Sequence, residues 1–467
     1  MELKKNKFKR SLGLLDATMI VAGSMVGSGI FIVSADIVRT VGSAGALLMI
    51  WLITGFLTVA AALSYGELSA MFPKAGGQYV YLKESFNSLT GFLYGWSFFA
   101  VIQTGSIAAV GVAFSKFAAY VFPLLSDNNI ILDLGFIQIT AAQLTSILVV
   151  VFLTYINTRG IKEGKTIQTI FTLVKLIALF GLIIFGFILA AKEDIWKANW
   201  SNGFSINKME GNTLIPYSGL AIVGAVAASL VGSLFSSDSW NNVTFIAREI
   251  KNPSKNIGRS LFLGTLIVTF IYLATNVMYL CVLPLREIAY ATNDRVGVTA
   301  SEQIFGDSGT YIIAILLMVS TFGCNNGLIL SGARVYHRMA KDGLFFKKLA
   351  QLNKNGVPEK ALWLQCIWAS VLCLSGKYNE LLDYVIFVVL LFYILTIAGI
   401  FRLRITKPDL ERPYKAIGYP ILPVVYILAA SCICIMLLVY KYNYSLPGLG
   451  IVLLGIPIYY YFVNKDK

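Results

Sequence analysis

The sequence predicts an all-α polytopic membrane protein, and three observations lead to that prediction. Hydrophobic residues make up 57% of the 467 positions while only 13% are charged, about half the charged share of soluble proteins. Apolar runs of about 20 residues recur along the chain, and each is long enough to cross a bilayer as a helix. The runs lack the alternation of barrel strands, and the mean hydropathy is +0.73.

Twelve transmembrane helices are predicted from these apolar runs. The spans are placed at 13–38, 44–72, 88–122, 138–156, 164–190, 216–246, 257–283, 309–337, 361–376, 380–403, 419–440 and 446–463. An even number of spans leaves both termini on the same side of the membrane. Since no loop is long enough to form a soluble domain, residues 1–467 are interpreted as a single transmembrane domain.

Basic residues cluster in alternate loops, and this pattern predicts the orientation. Of the 38 Lys and Arg residues, 28 fall on the side of the N-terminus, 8 fall on the other side, and Lys116 and Lys175 fall within spans. Because cytoplasmic loops carry an excess of Lys and Arg, both termini are expected in the cytoplasm and the protein in the plasma or inner membrane. The same distribution explains the net charge of +14 without a nucleic-acid partner. The polar start leads straight into the first span, so no cleavable signal peptide is expected.

The loop after the eighth span has a pattern of its own. It reads RMAKDGLFFKKLAQLNKNGVPEK, in which aromatic and basic residues are interspersed. Segments of this composition often lie as amphipathic helices on a membrane surface. We therefore expect such a helix here, with a solvated linker as the alternative.

Two spans carry sequences that favour an interrupted helix. The first span contains GSMVGSGIF at residues 23–31, and the sixth contains GSLFSSDSWNNV at residues 232–243. Glycine and small polar residues compete with helical hydrogen bonds. Irregular backbone at membrane depth is tolerated only where it lines a cavity or is buried in protein. Close helix packing through small residues is the alternative explanation for each stretch alone.

The positions of the two interruptions predict an inverted repeat. Breaks in the first and sixth spans correspond if the chain is built from two halves of five helices, as in many secondary transporters. Spans 1–5 at 13–190 and spans 6–10 at 216–403 would then be the halves, with spans 11 and 12 at 419–463 outside the repeat. An unwound first span exposes N–H groups that suit a carboxylate, with Ser28 adding a hydroxyl, and carbonyls that suit an ammonium. The pair of features fits a zwitterionic ligand.

At this point the chain is seen to resemble the amino acid–polyamine–organocation superfamily, with its LeuT-like fold, and more closely the L-amino acid transporter family. Four ordered motifs between residues 23 and 343 carry the resemblance. They are GSMVGSGIF, YGELSAMFPKAGGQYVYL, LFSSDSWNNVTFIAREIKNPSKNIGRS and STFGCNNGLILSGARVYHRMAKDG. The resemblance extends over nearly the whole chain.

The resemblance implies a substrate site between the first and sixth spans. The implied contacts are backbone groups of Gly27, Ser28 and Gly29 for the carboxylate, and carbonyls of Met25, Phe235 and Asp238 for the ammonium. Phe235 is the implied outer gate. Relatives often read FAYDGW where this chain reads FSSDSW, so Ser236, Ser237 and Ser239 are expected to make the pocket wall more polar. As alternatives, Asp238 caps a half-helix or pairs with a cationic substrate.

Lys175 lies near the middle of the fifth span, where a cation is costly and usually faces the interior. Snorkelling toward the cytoplasm is the alternative. By resemblance, the Lys175 amine takes the place of a sodium ion and bridges the broken first span to the eighth, near Ser320 and Thr321. A fixed charge and a proton carrier both remain open for this amine. Lys116, near the outer end of the third span, is interpreted as snorkelling.

The resemblance implies sodium-independent exchange of small neutral L-amino acids by alternating access, within a lipid bilayer. Proton-coupled import and transport of cationic amino acids or polyamines are the alternatives. An enzyme is disfavoured, because the sequence has no His pair, clustered carboxylates or metal-ligand spacing. No cofactor or metal is expected, and the six cysteines are interpreted as small buried hydrophobes.

Some animal relatives pair covalently with a single-span glycoprotein through a cysteine just before the fourth span. The corresponding segment of this chain, PLLSDNNIILDLG, has no cysteine. We therefore expect no covalent glycoprotein subunit. Together with the lack of other eukaryotic features, the missing cysteine leads us to expect a bacterial origin.

Overall fold

The computed structural model describes residues 12–73, 76–133, 138–375 and 378–465, most of which are helical. Among the described helices, nine segments are long and apolar enough to cross a membrane, or ten if the bent pair Leu14–Met25 and Gly29–Val41 is one span. The prediction of a multi-pass helical membrane protein is confirmed, whereas the number twelve stays a prediction. The other two predicted spans, the sixth and the ninth, are helices of 17 residues each.

The helices are numbered in chain order. The first half contains α1 (Leu14–Met25), α2 (Gly29–Val41), α3 (Ala44–Met71), α4 (Gly77–Ser85), α5 (Ser88–Ser97), α6 (Gln103–Val121), α7 (Ala141–Arg159), α8 (Ile161–Phe185) and α9 (Glu193–Asn199). The second half contains α10 (Leu220–Ser236), α11 (Asn242–Phe245), α12 (Pro253–Val282), α13 (Leu285–Ala289), α14 (Val296–Lys341), α15 (Glu359–Ser375), α16 (Tyr378–Thr406), α17 (Ile421–Tyr440) and α18 (Tyr442–Lys465). Two π-helical segments, Phe98–Ile102 and Gly186–Ala190, connect α5 to α6 and extend α8.

Two small β-hairpins interrupt the otherwise helical fold, which the sequence analysis did not predict. Strands β1 (Ile130–Asp133) and β2 (Gln138–Thr140) pair antiparallel, as do β3 (Asn207–Glu210) and β4 (Thr213–Pro216). The first hairpin moves the start of the fourth span from residue 138 to Ala141. There the Thr140 hydroxyl accepts from the Gln143 backbone and the Gln143 side chain accepts from the Thr140 N–H, a capping box that begins the helix.

The predicted amphipathic helix after the eighth span is wrong. Helix α14 continues to Lys341, and a four-residue 3-10 turn, Lys347–Ala350, is the only helical element before α15. Gly343 and Gly356 both have φ of 76°, a left-handed conformation that interrupts a helix. Phe345 is only 2% exposed, so this loop inserts an aromatic ring into the core.

Helix α14 is also longer at its other end than predicted. It has 46 residues, of which Gly309–Lys341 is the membrane-spanning part. Gly306 adopts φ of 68° and bends the helix before that span. The bend separates the spanning part from the residues that follow α13.

Helices differ in how much of their surface the protein itself covers. Within the apolar stretch of Ser88–Val121, 83% of residues are buried, against 22% in that of Tyr442–Asn464. The segment comprising α5 and α6 is therefore central, and α18 is peripheral, where apolar side chains face lipid. Around the centre, α1 packs against α8, α12 and α14, while α2 packs against α10.

The two sides of the bundle need separate names. We call the side on which α1 begins and α3 ends the N-terminal face, and the other side the opposite face. Helix α6 ends at the opposite face, because α5 begins close to the end of α3.

On the N-terminal face, the chain before α1 pairs in parallel with the chain after α11. Leu12 N–H donates to the Glu249 carbonyl at 3.0 Å, and Lys251 N–H donates to the Leu12 carbonyl at 2.8 Å.

Candidate functional site

The first span is interrupted at residues 26–28, which we call the first break. Helix α1 ends at Met25, α2 begins at Gly29, and their axes differ by 42°. Val26 has an extended backbone with ψ of 94°. The break is shorter than the stretch that the sequence singled out, because Gly23 and Ser24 remain helical. Every residue from Gly23 to Phe31 is buried, so the interrupted backbone lies inside protein.

Side chains of three other helices donate hydrogen bonds to the carbonyls around the first break. Five successive carbonyls, at residues 23–27, are engaged in this way. The contacts are Lys175 Nζ to Gly23, Cys324 Sγ to Ser24 at 3.1 Å, Tyr272 OH to Met25 at 3.0 Å, Lys175 Nζ to Val26 at 2.5 Å and Ser320 Oγ to Gly27 at 3.5 Å. A buried carbonyl without a donor is costly, so these bonds stabilise the interruption.

The sixth span is interrupted at residues 237–241, which we call the second break. Helix α10 ends at Ser236, and only the four-residue α11 follows it. Ser239 takes a left-handed conformation with φ of 65°, which is uncommon for a residue other than glycine. The break is partly closed by its own backbone, since Asp238 N–H donates to the Phe235 carbonyl at 3.1 Å.

The two breaks lie directly against each other. A Cβ atom on Gly29 would come within 1.9 Å of Ser236 Oγ, so only glycine allows α2 to approach α10 this closely. The Tyr272 hydroxyl on α12 lies 3.0 Å from the Met25 carbonyl and 3.0 Å from the Ser236 carbonyl. Met25 and Ser236 are the last residues of α1 and α10. Two helix C-termini, each with partial negative charge, therefore meet at one hydroxyl group.

The predicted site residues of the sixth span differ in their surroundings. Asp238 is buried, and its carboxylate accepts a 2.5 Å hydrogen bond from the Tyr393 hydroxyl on α16. The Ser236 hydroxyl donates to the Gly232 carbonyl of its own helix at 2.7 Å. Phe235 is partly buried. The Ser236 hydroxyl is thus engaged within its own helix, which lessens the polar character that the sequence suggested for this wall.

The predicted residues of the first, fifth and eighth spans lie as follows. Gly27, Ser28 and Gly29 stand at the start of α2, where the first N–H groups of a helix point toward its N-terminal end. The Lys175 amine contacts the first break through two carbonyls. Ser320 also reaches that break, whereas Thr321 Oγ1 bonds to Leu317 and Met318 carbonyls of its own helix, both at 3.0 Å.

Three residues of this site escaped the sequence analysis. Tyr272, Cys324 and Tyr393 each lie in an apolar helix, and each has a hydrogen-bond partner 155 or more positions away. The only local signal is a tyrosine hydroxyl within an apolar run, because a buried hydroxyl needs a partner. That signal does not say which partner it finds.

A cavity of about 940 Å³ opens at the opposite face and reaches toward the breaks. Its wall includes the parts of α2 and α6 nearest the opposite face, together with Gly232 of α10. Gly232 is one helical turn from Ser236. The charged residues lining the cavity are Asp36, Lys116, Asp127, Asp294, Asp383 and Lys441. The cavity therefore approaches the second break from this face to within one helical turn of α10, and several of its lining residues are charged.

The N-terminal face is closed beneath the breaks. Trp240 packs its ring at 4.8 Å from Tyr65 and 5.3 Å from Tyr393, measured between ring centroids. Further toward this face, Arg334 and Glu249 form a buried ion pair at 3.0 Å. The structure thus has a cavity that approaches the breaks on one side and packed aromatic and ionic contacts on the other.

The described residues contain no group of three or more His, Cys, Asp and Glu side chains that could hold a metal ion. The chemistry of the site is instead that of hydrogen-bond donors and acceptors at helix ends. Such ends bind charged groups of small ligands. A multi-span helical bundle in which two broken helices meet below a cavity is the architecture of a membrane transporter.

The comparison with known families agrees with this class and makes it specific. The chain matches the family described as amino acid permease over residues 12–461, so it belongs to that family and to the amino acid–polyamine–organocation superfamily. Its similar proteins are transporters of the L-amino acid transporter type. The family consists of membrane transporters and not of enzymes, as the sequence analysis expected.

Several curated proteins are similar over nearly the whole chain. The large neutral amino acids transporter small subunit 2 of Homo sapiens is 31% identical over 98% of this chain and 82% of its own length. The Asc-type amino acid transporter 1 of Mus musculus is 30% identical over 97% of this chain and 81% of its own. The b(0,+)-type amino acid transporter 1 of Mus musculus is 28% identical over 92% and 82%, respectively.

Proposed function

We propose that this protein is a sodium-independent exchanger of small neutral L-amino acids that works by alternating access. The observation that carries the proposal is the junction of the two breaks, where helix N-termini and C-termini lie within one buried site. A zwitterion needs donors and acceptors a few ångströms apart, and this junction has both. The names of the relatives, which include neutral amino acid transporters, support the same substrate class.

In this proposal the substrate carboxylate binds N–H groups of Gly27, Ser28 and Gly29, and the ammonium binds carbonyls. The carbonyls of Met25, Phe235 and Asp238 are proposed for the ammonium. A carbonyl oxygen has two lone pairs, so the bonds that Met25 and Phe235 already accept leave capacity for a ligand. Phe235, at the end of α10 and partly buried, is proposed to close over the substrate from the opposite face.

Sodium independence is proposed to rest on Lys175. Its amine is held by two carbonyls of the first break, a position in which a bound cation could brace that break. A covalently attached cation makes a sodium ion unnecessary there. Ser320, which reaches the Gly27 carbonyl, and the adjacent Thr321 are proposed as the eighth-span side of this site.

The proposal includes the predicted membrane architecture. Residues 1–467 form one domain of twelve spans, with two inverted halves of five and both termini in the cytoplasm. With that orientation the 940 Å³ cavity opens to the outside. Substrate entering there would meet the second break one turn below Gly232. Exposure of the site to the cytoplasm would require opening of the N-terminal face, including the Arg334–Glu249 pair.

The proposal also includes a chain that works without a covalent partner. One relative is named a small subunit, which indicates that it belongs to a larger assembly. In this chain the six cysteines are at positions 281, 324, 366, 373, 432 and 434, and residues 123–135 contain none. A band of the single chain on a gel run without reducing agent supports this part, and a heavier band that disappears on reduction contradicts it.

The function is tested with purified protein in liposomes, without sodium and without a pH gradient. Labelled serine or alanine is added outside, and the lumen is either empty or filled with the unlabelled amino acid. Exchange predicts strong uptake only into filled vesicles. Uptake into empty vesicles that grows with an inward proton gradient would instead indicate a proton-coupled importer. If neither occurs, the assay is repeated with labelled lysine or a labelled polyamine, whose uptake would indicate a cationic substrate, for which Asp238 offers a carboxylate.

A further inference from the structure

The end of α16 and the loop that follows it concentrate positive charge at one place on the N-terminal face. Residues 402–415 contain five basic and two acidic side chains, and we call this stretch the basic segment. It begins in the last turn of α16 and ends six residues before α17. Both helices are long and apolar enough to cross the membrane. The basic segment therefore lies where the N-terminal face meets the membrane surface.

The protein itself neutralises three of the five cations. The buried Glu67 carboxylate on α3 lies 2.7 Å from the Arg404 guanidinium and 3.6 Å from that of Arg412. The Glu84 carboxylate on α4 lies 3.4 Å from the Lys407 amine. These contacts fasten the basic segment to α3 and α4, so its position on the N-terminal face is fixed.

Arg402 and Lys415 are the two cations of the basic segment that the protein leaves without an acidic partner. Both are exposed, and in the described part of the chain no ion pair involves either of them. The Arg402 guanidinium carbon lies 5.4 Å from the centroid of the Phe86 ring, just after α4. That contact orients the guanidinium, while its five N–H donors at the edge stay available for an anion.

Exposed isoleucine side chains flank these two cations. Ile405 is 80% exposed and follows Arg402 by three positions, so the two lie on the same face of α16. Ile417 and Ile421, which follow Lys415 within six residues, are 60% and 70% exposed. Aliphatic groups beside cations are typical of protein surfaces at the boundary between lipid headgroups and acyl chains.

We propose that the basic segment binds the headgroup of an anionic phospholipid, with Arg402 and Lys415 contacting the phosphate and the exposed isoleucines contacting the acyl chains. Basic clusters next to a membrane span attract anionic lipids, and each cation contributes about fivefold in affinity. Positive charge alone is common on one side of membrane proteins. The combination of unneutralised cations with exposed isoleucines is what favours a lipid over a free phosphate ion.

The same face contains a matched control. Lys251 and Lys255, between the second break and the first turn of α12, are also exposed. The large apolar residues beside them, Ile250 and Ile257, are fully buried. Replacing Lys251 and Lys255 by glutamine therefore removes the same amount of charge from the same face, but at a place without exposed isoleucines.

The experiment follows thermal melting of the purified protein in a neutral detergent while phosphatidylglycerol is added. We expect saturable stabilisation, and much less from phosphatidylcholine with the same acyl chains. Arg402→Gln/Lys415→Gln should need about 10- to 25-fold more phosphatidylglycerol for half of the effect, because two cations are lost. Lys251→Gln/Lys255→Gln should need less than about twofold more. Equal stabilisation by the two lipids, or equal weakening in both double variants, overturns the proposal.

Two further measurements distinguish a lipid from a free anion. Glycerol 3-phosphate carries the phosphate without acyl chains, so it should stabilise the protein far less than phosphatidylglycerol at the same concentration. Ile405→Ser/Ile417→Ser keeps both cations but removes apolar contacts, and should raise the phosphatidylglycerol requirement about threefold. If glycerol 3-phosphate is as effective as the lipid, or the isoleucine variant responds like the wild type, the assignment to a lipid is wrong.

Arg402 also packs on Phe86, so single variants separate binding from stability. Arg402→Lys keeps the charge and should need no more than about threefold more phosphatidylglycerol. Lys415→Gln, which leaves the Phe86 contact intact, should need about fivefold more. A lower melting temperature of Arg402→Gln without lipid, together with an unchanged lipid requirement, would assign Arg402 to stability and contradict the proposal. None of these measurements depends on amino acid exchange, so their outcome is independent of the proposed function.

Discussion

The two breaks differ in which side chains form the hydrogen bonds around the interrupted backbone. The first break comes from a glycine-rich sequence with few side chains to donate hydrogen bonds, and its carbonyls are engaged by Lys175, Tyr272, Cys324 and Ser320 from neighbouring helices. The second break is rich in polar residues, and its own Asp238 and Asn241 reach outward. Local composition thus decides whether the side chains that make these hydrogen bonds belong to neighbouring helices only or also to the break itself.

In the first break one cation, Lys175, supplies two of the five side-chain hydrogen bonds, whereas in the second break each side-chain contact involves a different pair of residues. In the second break, Asp238 accepts from Tyr393, and Asn241 Nδ2 donates to Gln78 Oε1 at 3.1 Å. Removal of one contact there leaves others in place. Removal of the Lys175 amine withdraws two contacts at once from the first break. The variants below test this contrast, in order of decreasing expected effect.

Lys175→Met should have the largest effect. It keeps an unbranched side chain but removes the charge and both hydrogen bonds, each of which contributes about 1.5 kcal/mol or more. Exchange should fall about 100-fold, while substrate binding changes less, because the amine is proposed to brace the break. Initial rates in liposomes and binding by ligand-induced thermal stabilisation check this. Lys116→Met, at the edge of the cavity, is the control. A normal exchange rate in Lys175→Met would contradict the role assigned to the amine.

Tyr393→Phe should have an intermediate effect. It leaves the buried Asp238 carboxylate without its 2.5 Å donor, which costs about 1–3 kcal/mol and should slow exchange about tenfold. Adding Asp238→Asn removes the unpaired charge, so the double variant should exchange faster than Tyr393→Phe alone. Strictly additive losses in this double-mutant cycle would show that the two residues do not act as a pair.

Phe235→Ala tests the proposed gate. The substitution should change the exchange rate less than it changes the uptake of labelled amino acid into empty vesicles. Without the ring, the substrate is less well covered from the cavity. Leak of labelled amino acid into empty vesicles should rise about threefold to tenfold, which corresponds to a loss of about 1 kcal/mol from removing a partly buried ring. Leu234→Ala, the preceding residue of α10, is the control. If uptake into empty vesicles is unchanged in Phe235→Ala, Phe235 is not a gate.

Ser320→Ala should have the smallest effect. Its hydroxyl lies 3.5 Å from the Gly27 carbonyl, at the limit of a hydrogen bond. Exchange should therefore change less than about twofold. A tenfold loss, measured in the same liposome assay, would mean that this hydroxyl bonds more closely in another conformation of the transport cycle.

The sequence was informative wherever structure depends on neighbouring residues. The apolar runs predicted the helices, and GSMVGSGIF predicted an interruption within the first span. Contacts between distant parts of the chain could not be predicted from the sequence. Tyr272 and Met25, for example, are 247 positions apart, and neither segment contains a pattern that identifies the other as its partner. The prediction of an amphipathic helix after the eighth span was wrong for a related reason. Its aromatic residues suggested a membrane surface, but Phe345 packs into the core instead.

For individual site residues too, the sequence predicted that a side chain needs a partner but not which partner it has. Lys175 stood out because a cation in an apolar run needs a partner, but the sequence could not identify the Gly23 and Val26 carbonyls as its acceptors. Ser236 looked like part of a polar wall. Its hydroxyl bonds to the Gly232 carbonyl one turn earlier, a local alternative that serine always has within a helix.

The short pairing of Leu12 with the chain around Ile250 has a mechanical consequence. The segment before the first break and the segment after the second break are joined by two backbone hydrogen bonds. Either the two segments swing as one lever, or both bonds must rupture before either segment moves alone. In the first case this face has one independent motion fewer and opens in a single concerted step, and in the second the two bonds add a barrier to separate motion of either segment.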